Sequence, residues 1–557
     1  MKKSILVLAM VSVSLIFAVN VARAQTRTWA DAGTDWNTDT NWTLANVPDT
    51  SAEIAMFNNL SPLVNQPNIS SSVTVNYVIM QNATVGGITL SSSPGATLTV
   101  MSTSAAAAGA ALASHANGTG ATPNEVSANV VLGAAEGATQ TFIVRNNTDM
   151  RLFTVSGNIS STNTVNLNLA LGTNSGNGIA LTGCNSFTGN LFISGAKIAY
   201  LNTIGNVGAS SAAGAGSTIR LGGDAGGSGT TGNLYYTGSA TSTNKTLEFS
   251  GTTGNRTIRH TGTGLLQFAG PVTGAANTGT STRILNFGAV SAGAGIEIKG
   301  DLVDWGTIPW GTTGNNSTQV RIIFNNAGIV TFAGNNTYTG TTEIGHATLG
   351  AGGTLLVNGN HTNAGTYSMT VNSSSAPFLG GNGVITYATA GTLSVVSGGG
   401  LTPGGNADGT WSAGTLTLNL GTGGSGNLNL ASMTGNNAGR LVFDLAAPGA
   451  SDKVLLGANT ELRIGAGLLE KSDFTFNLRS GFTAGTYTLF DTSLTVNGTL
   501  SGAAGALDID FGGGYSGTIG LSGDGTDIIL TVIPEPATVG MAVAGLALMV
   551  LRRRIRG

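Results

Sequence analysis

One cysteine, Cys184, stands in 557 residues. This excludes an intramolecular disulfide and every cysteine-cluster metal site, and in an oxidising compartment it implies a thiol that is buried or incidental. Charge is almost as scarce, at 9% of residues with 23 Lys and Arg against 26 Asp and Glu. Ordinary soluble domains carry about 25%. No basic surface follows that could neutralise phosphates, which argues against nucleic acid as a partner. The four histidines, His115, His260, His346 and His361, show neither His-x-x-x-His spacing nor a Cys or Asp close by, so no catalytic zinc signature exists and surface or corner positions are expected. Walker-type Gly-Lys-Ser/Thr runs, a Gly-x-Ser-x-Gly elbow and repeated calcium nonapeptides are also missing, Gly222-Gly223-Asp224 being a lone partial echo.

What the chain does have is glycine, 86 residues of it, in a background of Thr, Ser, Asn, Ala, Leu and Val that is 41% hydrophobic with a formal charge of −3. Disordered chains are poor in aliphatics and rich in net charge, so this one can bury a core.

Its two ends read as addresses. Lys2 and Lys3 precede an apolar run from Ile5 to Val19, and Ala22-Arg23-Ala24 supplies a small-x-small cleavage site before Gln25: a secretory signal peptide over 1–24, exported through the Sec translocon. At the other end Pro534-Glu535-Pro536 is expected to stop the last strand, and an uncharged stretch over 537–551 suits a short transmembrane helix. Arg552, Arg553, Arg554 and Arg556 follow, and the positive-inside bias would leave them in the cytoplasm with residues 25–532 outside. This three-part order resembles the PEP-CTERM sorting signal of Gram-negative bacteria, over about 25 residues. The resemblance implies sorting by an exosortase-type transpeptidase that cuts near Pro-Glu-Pro, which would make the helix temporary; a plain C-terminal anchor is the alternative, and either places the body in the cell envelope or at the cell surface.

Between the ends, short runs of alternating apolar and polar residues recur, each closed by Gly, Asn or Ser. Val73-Thr74-Val75, Thr97-Leu98-Thr99-Val100, Val165 to Leu169, Thr415 to Leu420 and Ile529 to Val532 have the two-residue period of strands with one buried face. An internal repeat favours a solenoid over sandwiches or barrels. Residues 181–189, Leu-Thr-Gly-Cys-Asn-Ser-Phe-Thr-Gly, align with 332–340, Phe-Ala-Gly-Asn-Asn-Thr-Tyr-Thr-Gly. In this frame Gly183 and Gly334 are expected to open a corner, Asn185 and Asn336 to cap or to take left-handed geometry, Phe187 and Tyr338 to fill the interior, and Gly189 and Gly340 to turn the next corner.

These positions resemble the autotransporter-associated β-strand repeat, over about 178–200 and 329–359, which implies an all-β right-handed parallel β-helix. Thr28-Trp29, Trp36-Asn37 and Asn41-Trp42 resemble the opening of such surface chains, where aromatics would cap the first coil. The expected order is therefore a Trp-rich cap with first coils over 25–130, a repeat solenoid over 131–400, C-terminal coils over 401–531 and the sorting tail over 532–557. No C-terminal outer-membrane barrel is present, so self-secretion is not implied. At about 22 residues per coil and about 4.8 Å per rung, the rod would be on the order of 100 Å long.

Catalysis on such a scaffold needs converging carboxylates. Asp301 with Asp304, Asp508 with Asp510 and Asp524 with Asp527 are the candidate pairs. Asp508 and Asp510 share a strand face and could hold Ca²⁺ or act as acid and base, yet Leu507, Ile509 and Phe511 would then face the core and the acids water. Arg256-Thr257-Ile258-Arg259-His260 is the densest basic spot outside the tail and could meet an anionic glycan. The expected function is a structural or adhesive surface protein, without catalysis or cofactor, associated with extracellular polysaccharide or neighbouring copies. A carbohydrate-active β-helix enzyme and a self-assembling surface-layer module are the rivals.

Overall fold

Alternation decides the architecture. In Thr97–Val100, Leu152–Val155 and Thr246–Phe249 every second side chain is buried, and in Leu441–Leu445 the first, third and fifth are. A strand buried on one face needs partners on both edges, and a chain of short strands joined by tight corners finds them one coil before and one coil after. A computed structural model describes residues 25–535 except 60–62, 83–86, 106–109, 117–122, 147–151, 172–177, 196–197, 224–230, 252–254, 275–282, 292, 305–317, 324–327, 347–352, 372–375, 434–438 and 503–505.

The described chain is all-β and built of long parallel sheets in the arrangement of a β-solenoid with three faces. Face one is a ten-stranded sheet from Gln25–Thr28 to Val272–Gly274, and its place is later taken by a nine-stranded sheet that starts at Asn335–Asn336. Face two is a twelve-stranded sheet from Asn68–Ile69 to Tyr367–Met369, followed by a four-stranded one from Thr392–Ser394 to Asn497–Leu500. Face three holds four strands from Val73–Val75 to Ile159–Ser161 and then nine from Thr241–Thr243 to Phe474–Leu478. The register stacks like on like. Leu112, Phe142, Leu169, Ile193, Leu221 and Phe249 are successive partners on face one, all at most 1% exposed.

Coil length departs from the expected 22 residues. Leu379 and its partner Leu401 are 22 apart, but Leu401 and Leu441 are 40 apart. The strands of face two therefore give a rod of about 70 Å rather than 100 Å.

Both ends are closed. At the start, Trp29, Trp36 and Trp42 bury themselves on Phe57 of the first full coil, with the Trp29 and Trp36 rings 5.0 and 4.7 Å from that of Trp42. Each indole N–H finds a carbonyl: Trp42 Nε1 donates to Trp36 O at 2.7 Å, Trp29 to Asn65 O and Trp36 to Pro48 O. Buried Trp needs such a partner, so the plug is polar-satisfied as well as apolar. At the far end the parallel coils stop at Asn497–Leu500, short of the expected 531. Leu507–Gly512, Tyr515–Leu521 and Ile528–Pro534 pair antiparallel with one another and with Gly485–Thr492, turning the last rung into a different edge.

Candidate functional site

The repeat frame is the first candidate, and its spacing has a simple cause. Leu181, Gly183, Asn185, Phe187 and Gly189 are all buried, and Thr182, Cys184, Ser186 and Thr188 are all exposed. The second copy points Phe332, Gly334, Asn336, Tyr338 and Gly340 inward in the same way. Cys184 thus lies on the surface as a free thiol, not buried.

The glycines serve close approach, not left-handed geometry. None of Gly183, Gly189, Gly334 and Gly340 has a positive φ, but a Cβ on each would collide with the carbonyl of the coil beneath, at Gly157, Val165, Gly300 and Thr318 respectively. They form columns: Gly359 stands over Gly334, and Gly383 over Gly359. The asparagines are likewise not left-handed. Asn185 Oδ1 accepts the N–H of Ile159 one coil back at 2.8 Å while its Nδ2 donates to Ala212 O one coil ahead at 2.9 Å. Asn336 Oδ1 accepts the N–H of Leu302 at 2.9 Å. Asn124 does the same for Ile88 N–H at 2.9 Å, a site that no sequence pattern announced. Each amide ties coils through a buried corner where a backbone N–H would otherwise be unpaired.

In the coil after Asn336 the same inward slot is taken by His361. Its Nε2 faces Tyr338 O at 2.8 Å and its Nδ1 faces Tyr367 Oη at 2.7 Å, while Tyr387 Oη accepts Tyr367 N–H at 2.9 Å. Burial holds the His361 pKa down to about 4, and pushes that of Tyr387 up to about 12. The histidines are therefore not all at the surface: His361 and His260 are core residues, and only His115 and His346 are partly exposed.

The basic spot dissolves on inspection of its faces. Arg256 and His260 point inward, Arg256 donating to Ser250 O at 2.8 Å and the His260 ring meeting Gly295 O at 3.1 Å. Lys245 and Arg283 are buried too and donate to Gly216 O and Gly251 O. Burial pulls Lys245 down to about 8, and burial with the neighbouring Arg283 charge pulls Arg256 down to about 9. Only Arg259 faces out, 5.2 Å over the Tyr235 ring. Two outward ion pairs join neighbouring coils in register, Arg220 with Glu248 at 3.1 Å and Arg321 with Glu343 at 2.8 Å.

The acid pairs do not converge on a groove. Asp301 accepts Asn335 N–H, and Asp304 accepts the N–H groups of Thr318 and Thr339, so both act as ties between coils. Asp508 and Asp510 face water, Asp508 taking Thr518 Oγ1 and Asp510 the N–H of Gly512. Asp524 closes a turn with Ser522 and Thr526, and Asp527 accepts Thr492 N–H. Among the described residues no group of three His, Cys, Asp or Glu could hold a metal ion. Among the described residues the deepest carboxylate is Asp452, 1% exposed, which accepts the N–H groups of Gly414 and Asp444 at 2.9 Å each. Burial raises its pKa to about 7 against those hydrogen bonds. An open depression of about 560 Å³ near the far end is lined by Glu470, Lys471, Ser472, Phe474, Ser501 and Leu507.

The tail is the second candidate. Pro534 does not stop the last strand ahead of itself; it is the final residue of Ile528–Pro534, opposite Tyr515, and Glu535 N–H donates to Gly514 O at 2.7 Å. An end position suits a residue with no N–H to give. Ile533, Pro534 and Glu535 are exposed. Pro536, Arg552, Arg553 and Arg554, the stretch 537–551 and the segment 1–24 with Ala22 and Ala24 lie outside the described residues. Among those described, no helix is long and apolar enough to cross a membrane. No known protein family, characterised protein or solved structure matches the chain.

Proposed function

We propose that the chain is an exported surface protein whose β-solenoid, right-handed as in the repeats it resembles, serves as a stiff stalk displayed from the cell envelope of a Gram-negative bacterium. The observation that carries this reading is the long stack of parallel strands, from Gln25–Thr28 to Asn497–Leu500, which lies between the two ends that read as a signal peptide and a sorting tail. The motif Pro534-Glu535-Pro536 begins at an exposed strand end just beyond the last rung, where a transpeptidase of the exosortase type could reach it. The role is structural or adhesive. The charge-poor faces of Thr, Ser and Asn offer hydroxyls and amides to extracellular polysaccharide or to neighbouring copies.

Fractionation of cells expressing the full chain, with intact mass analysis of the mature protein, tests this. The expected product begins at Gln25, ends near Pro536 and sits at the cell surface. A full-length chain found in the cytoplasm overturns the proposal.

A further inference from the structure

The coil between Leu401 and Leu441 is the longest, and part of its extra length is a hairpin, Gly404–Gly414. Gly405 N–H donates to Ser412 O at 2.9 Å and Asn406 N–H to Thr410 O at 3.1 Å, with Gly404, Gly405 and Gly409 all at positive φ. The hairpin does not project into solvent. It lies back along the outer side of face three, across coils already completed. Gly404 N–H bonds to Gly381 O at 2.8 Å; Asn358 Nδ2 donates to Gly405 O at 3.1 Å, with Leu356 against Gly405. Gly409 lies over Ile329, and the carbonyl of Ala407 occupies the space that a Cβ on Gly295 would need. Ala407 is 7% and Leu356 3% exposed, so the underside of the hairpin is seated on these coils while Asn406, Asp408, Gly409 and Thr410 face solvent. The root is held by the buried Asp452 carboxylate of the following coil, which binds Gly414 N–H and leaves no room for a side chain on Gly404.

We propose that this hairpin is a clasp that couples the four coils bearing Ala294–Ile298, Ile329–Phe332, Thr354–Val357 and Phe378–Gly381 to the coil from which it springs. In a solenoid each coil touches only its neighbours, so stability is a chain of pairwise links and fraying can start at any weak one. A strap that touches residue 295 from residue 407 adds a link that skips three coils. It makes this half of the rod open as one unit, and it acts independently of what the surface binds.

Hydrogen exchange read by mass spectrometry on the full chain tests the clasp. One variant shortens the strap, with Asn406–Thr410 replaced by two glycines; a second, Gly295→Ala, displaces the tip and leaves the strap sequence intact. In both, exchange in Ala294–Ile298, Ile329–Phe332 and Thr354–Val357 is expected to quicken about ten-fold, while Ile198–Leu201, outside the clasp, is unchanged. Unaltered protection of those three strands in both variants overturns the proposal, and so does an equal loss in Ile198–Leu201, which would mark a general weakening.

Discussion

Histidine 361 gives the sharpest test of the buried polar column. A carbonyl only accepts, so the 2.8 Å contact to Tyr338 O requires the proton on Nε2, and Nδ1 must then accept from Tyr367 Oη. The ring is neutral in the fold, with a pKa held near 4 by burial against an ordinary value of 6.5. Between those two pH values the unfolded chain binds a proton that the folded chain refuses. Its contribution is therefore complete above pH 6.5, is lost as pH falls towards 4 and then levels off; at about 1.4 kcal/mol per pH unit the loss is about 3 kcal/mol. Asp452 works in the opposite sense. Its folded pKa of about 7 lies above the ordinary 3.8, so the fold gains as pH falls through the same window, by about 4 kcal/mol. Overall stability would show these two nearly cancelled, so the assay must be site-resolved. In ¹⁵N-histidine-labelled protein, one of four side-chain signals is expected to stay neutral down to about pH 4 as the Nε2–H tautomer, and to vanish in His361→Gln. A His361 signal that titrates near 6.5, or that shows the Nδ1–H form, refutes the reasoning.

Three further outcomes follow from the packing. Asn336→Ala strands the Leu302 N–H in a buried corner and should cost about 1–3 kcal/mol in denaturant unfolding, whereas Thr337→Ala, on the exposed side of the same segment, should stay within about 0.5 kcal/mol. Gly359→Ala drives a Cβ into the carbonyl of Gly334 and should lower the melting temperature, because neither backbone can give without breaking register; an unchanged melt would mean that the glycine column is incidental. Trp42→Ala removes a ring packed on Trp29, Trp36 and Phe57 and should cost about 3–5 kcal/mol, with aggregation through the uncovered first coil visible in light scattering.

The aromatics of the inward face were readable because that face obeys a two-residue period: Phe187 and Tyr338 were expected inside and are buried, whereas Asn185 and Asn336, expected to cap or to take left-handed geometry, turn out to share the same inward face as ties between coils. The reason for the glycines was not readable. Sequence offers left-handed geometry as the usual motive, and only stacked backbones reveal that Gly183 and Gly334 are there for closeness. The basic spot misled for a related reason. Arg256, Arg259 and His260 are neighbours in the chain, but alternation sends Arg256 and His260 inward to carbonyls, so density along the sequence is not density on a surface. Asn124 and the antiparallel end lacked any local signature, since both are set by partners 36 residues or a whole coil away.

The coils are unequal in length, yet they form one continuous stack. If the steps of 22 and 40 residues belonged to separate domains, the inward columns would break where the length changes. Leu379, Leu401 and Leu441 instead remain successive partners, each fully buried, across a short step and the longest one. The core of a solenoid constrains only the residues that stack, and the surplus must leave at a corner. In the longest coil the surplus includes the hairpin Gly404–Gly414, which returns to lie on older coils. Length is thus added where register does not feel it, and a stalk of this kind can gain clasps or contact loops without renegotiating its core.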